Sequence, residues 1–163
     1  MSISENSPVH NGLAPLYGEM TRVLILGTFP SPLSREKGEY YGNPRNQFWR
    51  IMFGIFDTPY SDDYGQKKAL LYRNGVAVWD VIAQCEASGA PDSTIKNPIY
   101  NVSLPEFILS HGIKKVFFNG NNAYVFFKRG IGGIEKTVLP STSPAYAAMR
   151  FEEKLRLWRE AMI

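Results

Sequence analysis

Two histidines and one cysteine are all that this 163-residue chain offers of the side chains on which most activated nucleophiles and soft-metal sites depend. His10 lies in the N-terminal stretch and His111 at the expected end of a helix. A Ser-His-Asp or Cys-His arrangement therefore lacks its base, and zinc lacks a ligand cluster. Cys85 alone cannot close a disulfide within the chain, and it excludes an all-Cys metal or iron–sulfur site. A reducing, intracellular, cytoplasmic location is the expectation. Long hydrophobic runs are missing too: none approaches the roughly eighteen residues of a membrane span. The opening MSISENSPVHNG has no basic stretch followed by an apolar one, as an export signal would. The phosphate-cradling pattern G-x-x-x-x-G-K-[ST] is not present, and Gly130, Gly132 and Gly133 do not lead from a strand into a helix as a dinucleotide fingerprint requires. Kinase, NTPase and dehydrogenase chemistry fall away. What survives is a reaction whose demands are electrostatic and positional, with water as the nucleophile.

Hydrophobic residues make up 44% of the chain, enough for one domain, 1–163, to bury a core without covalent staples. About twenty polar, turn-rich residues at the start are expected to be partly loose. Lys and Arg number 18 against 15 Asp and Glu, a net charge of +3. That excess suits a polyanionic partner but is also ordinary for a small domain. The pairs Lys67–Lys68, Lys114–Lys115 and Lys128–Arg129 read as solvated surface.

The chain is organised around Val23 to Trp49, VLILGTFPSPLSREKGEYYGNPRNQFW. An apolar run ends in Gly27, passes through a long polar loop and re-emerges at Asn43-Pro44, a cap followed by a favoured first helical residue. The spacing predicts a strand over Thr21 to Gly27 and a helix over Pro44 to Phe56, with Phe48, Ile51, Met52 and Ile55 on one face. A second helix is expected over Tyr64 to Arg73, closed by Asn74 and Gly75. Further strands are expected over Gly75 to Ile82, Lys114 to Asn119 and Lys136 to Leu139. Helices are expected over Leu104 to His111, Asn121 to Arg129 and Tyr146 to Met162, and Glu86 to Asn101 reads as a functional loop. Strands alternating with helices imply an α/β fold, a three-layer α/β/α sandwich around a central, mostly parallel four-stranded sheet. In such a fold the loops leaving the carboxyl ends of the strands share one rim, where ligands bind. That rim collects aromatics, asparagines, hydroxyls and one aspartate, Asp80.

Five segments carry a more specific signal: Gly27 to Ser31 (GTFPS), Tyr40 to Trp49 (YYGNPRNQFW), Trp79 to Val81 (WDV), Asp92 to Pro98 (DSTIKNP) and Leu139 to Pro144 (LPSTSP). Together they resemble the hypoxanthine-DNA glycosylase branch (family 6) of the uracil-DNA glycosylase superfamily, over roughly residues 22 to 160. The resemblance implies a uracil-DNA glycosylase-like fold and a monofunctional, cofactor-free monomer of base excision repair. Such an enzyme flips a deaminated base out of DNA and hydrolyses the C1′–N bond. Hypoxanthine is the first expectation and uracil the second. A uracil or mismatch-specific glycosylase, a non-catalytic nucleic-acid-binding domain and a nucleoside hydrolase are the alternatives.

The resemblance places Asn46 as the catalytic residue that orients water, against a local role at the first turn of a helix. Phe29 stacks on the base or packs in the core, and Tyr41 walls the pocket or packs its own loop. Asp80 accepts the ring N–H of the base or caps a turn. Gly27 is grouped with these base-binding residues, and Ser31 with those that touch DNA. Ser141, Thr142 and Ser143 meet phosphates while Tyr146 presses toward the gap left by the flipped base. Ser143-Pro144 also reads as a helix cap and first residue. Asn119 reads as a structural turn residue. Other branches begin the second motif with histidine, and this chain has Leu139 there.

Overall fold

The computed structural model describes residues 9–86, 95–127 and 132–163. Its centre is a parallel sheet of β2 (Val23–Gly27), β3 (Val76–Asp80), β6 (Lys115–Asn119) and β7 (Glu135–Leu139), in the order β3-β2-β6-β7. The three-layer α/β/α expectation holds, and the sheet is parallel throughout. Alternation along β2 explains the layers: Ile25 joins one apolar cluster, and Leu24 and Leu26 the other. The first cluster packs the sheet against α2 (Phe48–Ile55), α3 (Tyr64–Arg73) and α6 (Phe151–Met162), through Phe48, Ile51, Met52, Leu70, Leu71 and Trp158. The second packs it against α4 (Leu104–Ser110) and α5 (Asn121–Phe126), through Leu104, Ile108 and Ala123.

Four stretches depart from the sequence expectation. First, α2 begins at Phe48, because the backbone groups that would extend it toward Pro44 bond elsewhere. Asn43 accepts the Arg45 N–H on its side chain and the Asn46 N–H on its carbonyl, both at 2.9 Å, and so closes a turn. The Gln47 N–H goes to the Thr142 carbonyl at 3.0 Å. Second, the loop after β2 contains a short helix, α1 (Pro32–Lys37), capped by Ser31 and ended by Gly38 in the left-handed region. Third, α6 begins at Phe151, and residues 140–150 before it carry no regular element.

Fourth, the chain leaves the parallel sheet after Asp80 and forms β4 (Ile82–Glu86). This strand is flanked by β1 (Val9–Asn11) and β5 (Lys96–Tyr100) in a small antiparallel sheet. Part of the expected loop Glu86 to Asn101 is thus a strand, and residues 87–94 lie outside the described ones. Residues 1–8 of the expected loose tail lie outside as well. From Val9 onward that stretch is paired: β1 with β4, and Leu16 with Val78 by an isolated antiparallel bridge. The expected end of the helix after Asn121, at Lys128 and Arg129, is also outside the described residues. Among those described, no helix is long and apolar enough to cross a membrane.

Candidate active site

The carboxyl ends of the four parallel strands open into a cavity of about 750 Å³. All ten residues singled out from the sequence line it: Gly27, Phe29, Ser31, Tyr41, Asn46, Asp80, Ser141, Thr142, Ser143 and Tyr146. Parallel register accounts for the deepest part, since Gly27 ends β2 directly beside Asp80 at the end of β3. A Cβ on Gly27 would sit 2.6 Å from Asp80 Oδ1 and 2.9 Å from the Tyr41 hydroxyl. Glycine is therefore required by close approach, and the carboxylate and the phenol converge on one point of the floor.

Tyr41 reaches that point from a left-handed backbone, φ 53°, a conformation uncommon for a bulky residue. Its ring stacks on Phe48 at 4.0 Å between centroids and 21° between planes, which fixes the hydroxyl over Gly27. Asp80 is 5% exposed, and its carbonyl is held by the Asn101 side-chain amide at 3.0 Å. Beside them, burial, and next the charge of Asp80, push the Tyr40 phenol well above its ordinary pKa. That phenol stays protonated and donates to the carbonyls of Leu13 and Ala14.

Phe29 forms a side wall. The Arg35 guanidinium lies 5.3 Å from its ring centroid and donates to the Pro30 carbonyl at 3.1 Å, so the ring is steadied from behind. Ser31 caps α1 and also donates its hydroxyl to Ser34. Ser34, buried, accepts the Gly42 N–H at 2.9 Å and pins the two ends of this loop together.

Asn46 stands at the turn before α2. Its Oδ1 accepts the Phe48 N–H at 2.9 Å, the local bond that the sequence left open. A carbonyl oxygen has two lone pairs, so this bond orients the amide and leaves a second acceptor site on a residue that lines the cavity.

The loop after β7 makes the opposite wall, anchored at three points. Trp158 Nε1 donates to the Pro140 carbonyl at 2.9 Å. Lys154 Nζ donates to the Tyr146 carbonyl at 2.8 Å. Between them Thr142 has no exposed surface. Its N–H donates to Asn119 Oδ1 and its hydroxyl accepts from Asn119 Nδ2, both at 2.9 Å. This geometry turns Thr142 away from the phosphate contact expected of it and makes it the keystone of the loop. Ser141 and Ser143 remain half-buried on either side, and Tyr146 is exposed at the rim. The expected cap role of Ser143 is not met, since α6 begins at Phe151 with Arg150 at its cap; the Ser143 hydroxyl instead accepts the Ala145 N–H at 3.1 Å in a local turn. Gly120, at φ 92°, lets the end of β6 pass Ser141, whose Cβ would be 3.2 Å from any Cβ there.

Asn119 and Lys154 were not singled out as site residues from the sequence. Lys154 did leave a signal, a lysine three residues after Phe151 and four before Trp158, inside the apolar stripe of α6. It is 2% exposed, and burial holds its ammonium below the usual lysine pKa.

The uracil DNA glycosylase superfamily matches residues 14–162. A hypoxanthine DNA glycosylase of Methanosarcina acetivorans is 35% identical over 142 residues, covering 84% of this chain and 88% of that protein. A hypoxanthine DNA glycosylase of Methanosarcina barkeri is 33% identical over 134 residues, 80% of this chain and 85% of that one. A solution NMR structure of a candidate uracil DNA glycosylase from M. acetivorans superposes with a TM-score of 0.74 at 32% identity, covering 94% of this chain and 98% of the other.

Proposed function

The chain belongs to the uracil DNA glycosylase superfamily and is a DNA glycosylase, and from that premise we propose that its cavity takes a deaminated base, hypoxanthine before uracil. The observation that carries this reading is the convergence of Asp80 and Tyr41 on Gly27 at the floor, with Phe29 and Asn46 on the same walls. Deamination changes the ring nitrogen that faces such a floor. Adenine and cytosine present a lone pair there, whereas hypoxanthine and uracil present an N–H beside a carbonyl oxygen. A buried carboxylate accepts the N–H and repels the lone pair. Asp80 thus selects the deaminated base by charge.

In the proposed reaction the flipped base stacks on Phe29, with Tyr41 closing the pocket. Asn46 holds a water through its remaining lone pair, on the side of C1′ away from the base. The C1′–N bond breaks with its electron pair going to the base, and the water oxygen bonds to C1′ as positive charge develops on the sugar. The water proton passes to solvent and the departing base anion takes one up from solvent, leaving free base and an abasic site. Leu139 gives no hydrogen bond to the departing base from its side chain, so positioning by Asn46 and Asp80 carries the rate. Ser141 and Ser143 meet phosphates while Tyr146 fills the gap in the stack.

A panel of labelled duplexes, each carrying one hypoxanthine, uracil, xanthine or thymine mismatch and cleaved with alkali after incubation, tests the reading. Scission at hypoxanthine above the others is expected. Intact duplexes throughout, at stoichiometric protein, would sink it. The apolar Leu139 favours one second reading, a module that binds the lesion without releasing the base. Lesion binding with no scission, unaltered in Asn46→Ala, is its signature.

A further inference from the structure

Resting on the glycosylase reading, we propose that Lys154 is a positioning residue that sets the water-holding turn of Asn46 and the groove loop of Tyr146 in one fixed relation. Its ammonium donates to Gln47 Oε1 at 3.0 Å and to the Tyr146 carbonyl at 2.8 Å, and it lies 5.0 Å from the Tyr146 ring centroid. Gln47 follows Asn46 directly, and its own N–H is bonded to the Thr142 carbonyl. One side chain from α6 thus ties together the neighbour of the water-holding amide, the loop across the cavity and the aromatic at its rim.

The environment argues against a purely structural part. Both partners are neutral oxygens, and burying a cation on neutral partners is costly. Packing between Phe151 and Trp158 would be served as well by an apolar chain of the same length, and methionine supplies one at no such cost. A lysine at this place contributes two directed hydrogen bonds that methionine cannot, and both point at elements that carry chemistry. Fixing the two loops before DNA arrives holds water and flipped sugar in register, where displacement of about 1 Å slows reaction on the order of a hundredfold.

The test is a double-mutant cycle of Lys154→Met and Gln47→Ala, read as the single-turnover excision rate at saturating protein on a hypoxanthine duplex. Each single variant is expected to slow excision on the order of ten- to a hundredfold. The double variant should be no slower than the worse single by more than about threefold, because the bond that Gln47→Ala removes is one that Lys154→Met has already removed. A general loss of packing would not produce that coupling. Losses that multiply, or a folded Lys154→Met excising within about threefold of wild type, would overturn the proposal. If Lys154→Met shows no cooperative unfolding transition, Gln47→Ala carries the test alone: a slowed rate supports the proposal and an unchanged one ends it. Wild type inactive on every duplex defeats the glycosylase reading, and this inference with it. An active wild type with unaffected variants defeats this inference only.

Discussion

Asn119, at the end of β6, and Thr142, in the loop after β7, bond each other twice, main-chain N–H to Oδ1 and Nδ2 to hydroxyl, each at 2.9 Å. Thr142 is wholly buried, so its N–H has no water to turn to when the amide is removed. Asn119→Ala is expected to cost about 1–3 kcal/mol of stability and to slow excision by releasing the groove loop. Asn119→Asp keeps an acceptor for the N–H and a second for the hydroxyl proton, and should recover part of both. Urea unfolding and single-turnover rates check this. Equal losses in the two variants would contradict the clamp.

Gly27 marks the point where Asp80 and Tyr41 converge. The Cβ of Gly27→Ala would press on Asp80 Oδ1 at 2.6 Å and the Tyr41 hydroxyl at 2.9 Å, so both side-chain ends must shift from where their packing holds them. Overpacking of this kind costs about 1–3 kcal/mol, so the variant should fold. Its excision rate should fall on the order of a hundredfold, since the groups reading the base have moved. Thermal melting beside a rate assay separates the two, and a variant with full activity would refute the floor described here.

Asp80→Asn tests selection by charge. Its amide can donate to the lone pair of an undamaged base as well as accept from an N–H. The ratio of hypoxanthine to adenine excision should therefore drop, by about 1–3 kcal/mol of discrimination, the worth of a good base-edge contact. Matched duplexes assayed over long incubation give the ratio. A ratio that does not change would remove Asp80 from base selection.

Alkaline pH should unfold the chain early. Burial raises the pKa of Tyr40 above its ordinary value, and the same cause raises Tyr64 and Tyr72. A phenol raised in the folded state contributes stability that is complete below its unfolded value near 10 and is lost as pH climbs toward the folded value. Melting temperature should hold up to about pH 10 and fall beyond it. Tyr40→Phe, less stable at neutral pH for want of the proton shared between the Leu13 and Ala14 carbonyls, should lose less over that range. A parallel decline in both proteins would assign the alkaline transition to other groups.

How much of this was legible in the sequence depended on whether one dominant force acted. The inner parallel strands were plain because burial on both faces leaves continuous apolar runs such as Val23 to Leu26. Tyr64–Arg73 was legible through the Asn74-Gly75 stop, and the structure adds Asp63, whose side chain accepts the Gln66 N–H, as its cap. The small antiparallel sheet was not, since β5 is Lys-Asn-Pro-Ile-Tyr with four of its five residues exposed and offers no alternation. The start of α2 was misplaced because Gln47 bonds across the cavity to Thr142, a contact between residues far apart in the chain. At the site, the aromatic and asparagine residues could be named from their motif. Asn119 and Lys154 act through the side chains and carbonyls they hold, which only the folded chain brings within reach.

The most direct measurement is free hypoxanthine released from a hypoxanthine duplex, counted against abasic sites formed, for wild type and Asn46→Ala in single turnover. Wild type should release one base per abasic site, and Asn46→Ala should do so more slowly by a factor on the order of a hundred while still binding the lesion. Lesion duplex bound by wild type with no base released, or full release by Asn46→Ala, would contradict an account in which this cavity holds the base and Asn46 holds the water.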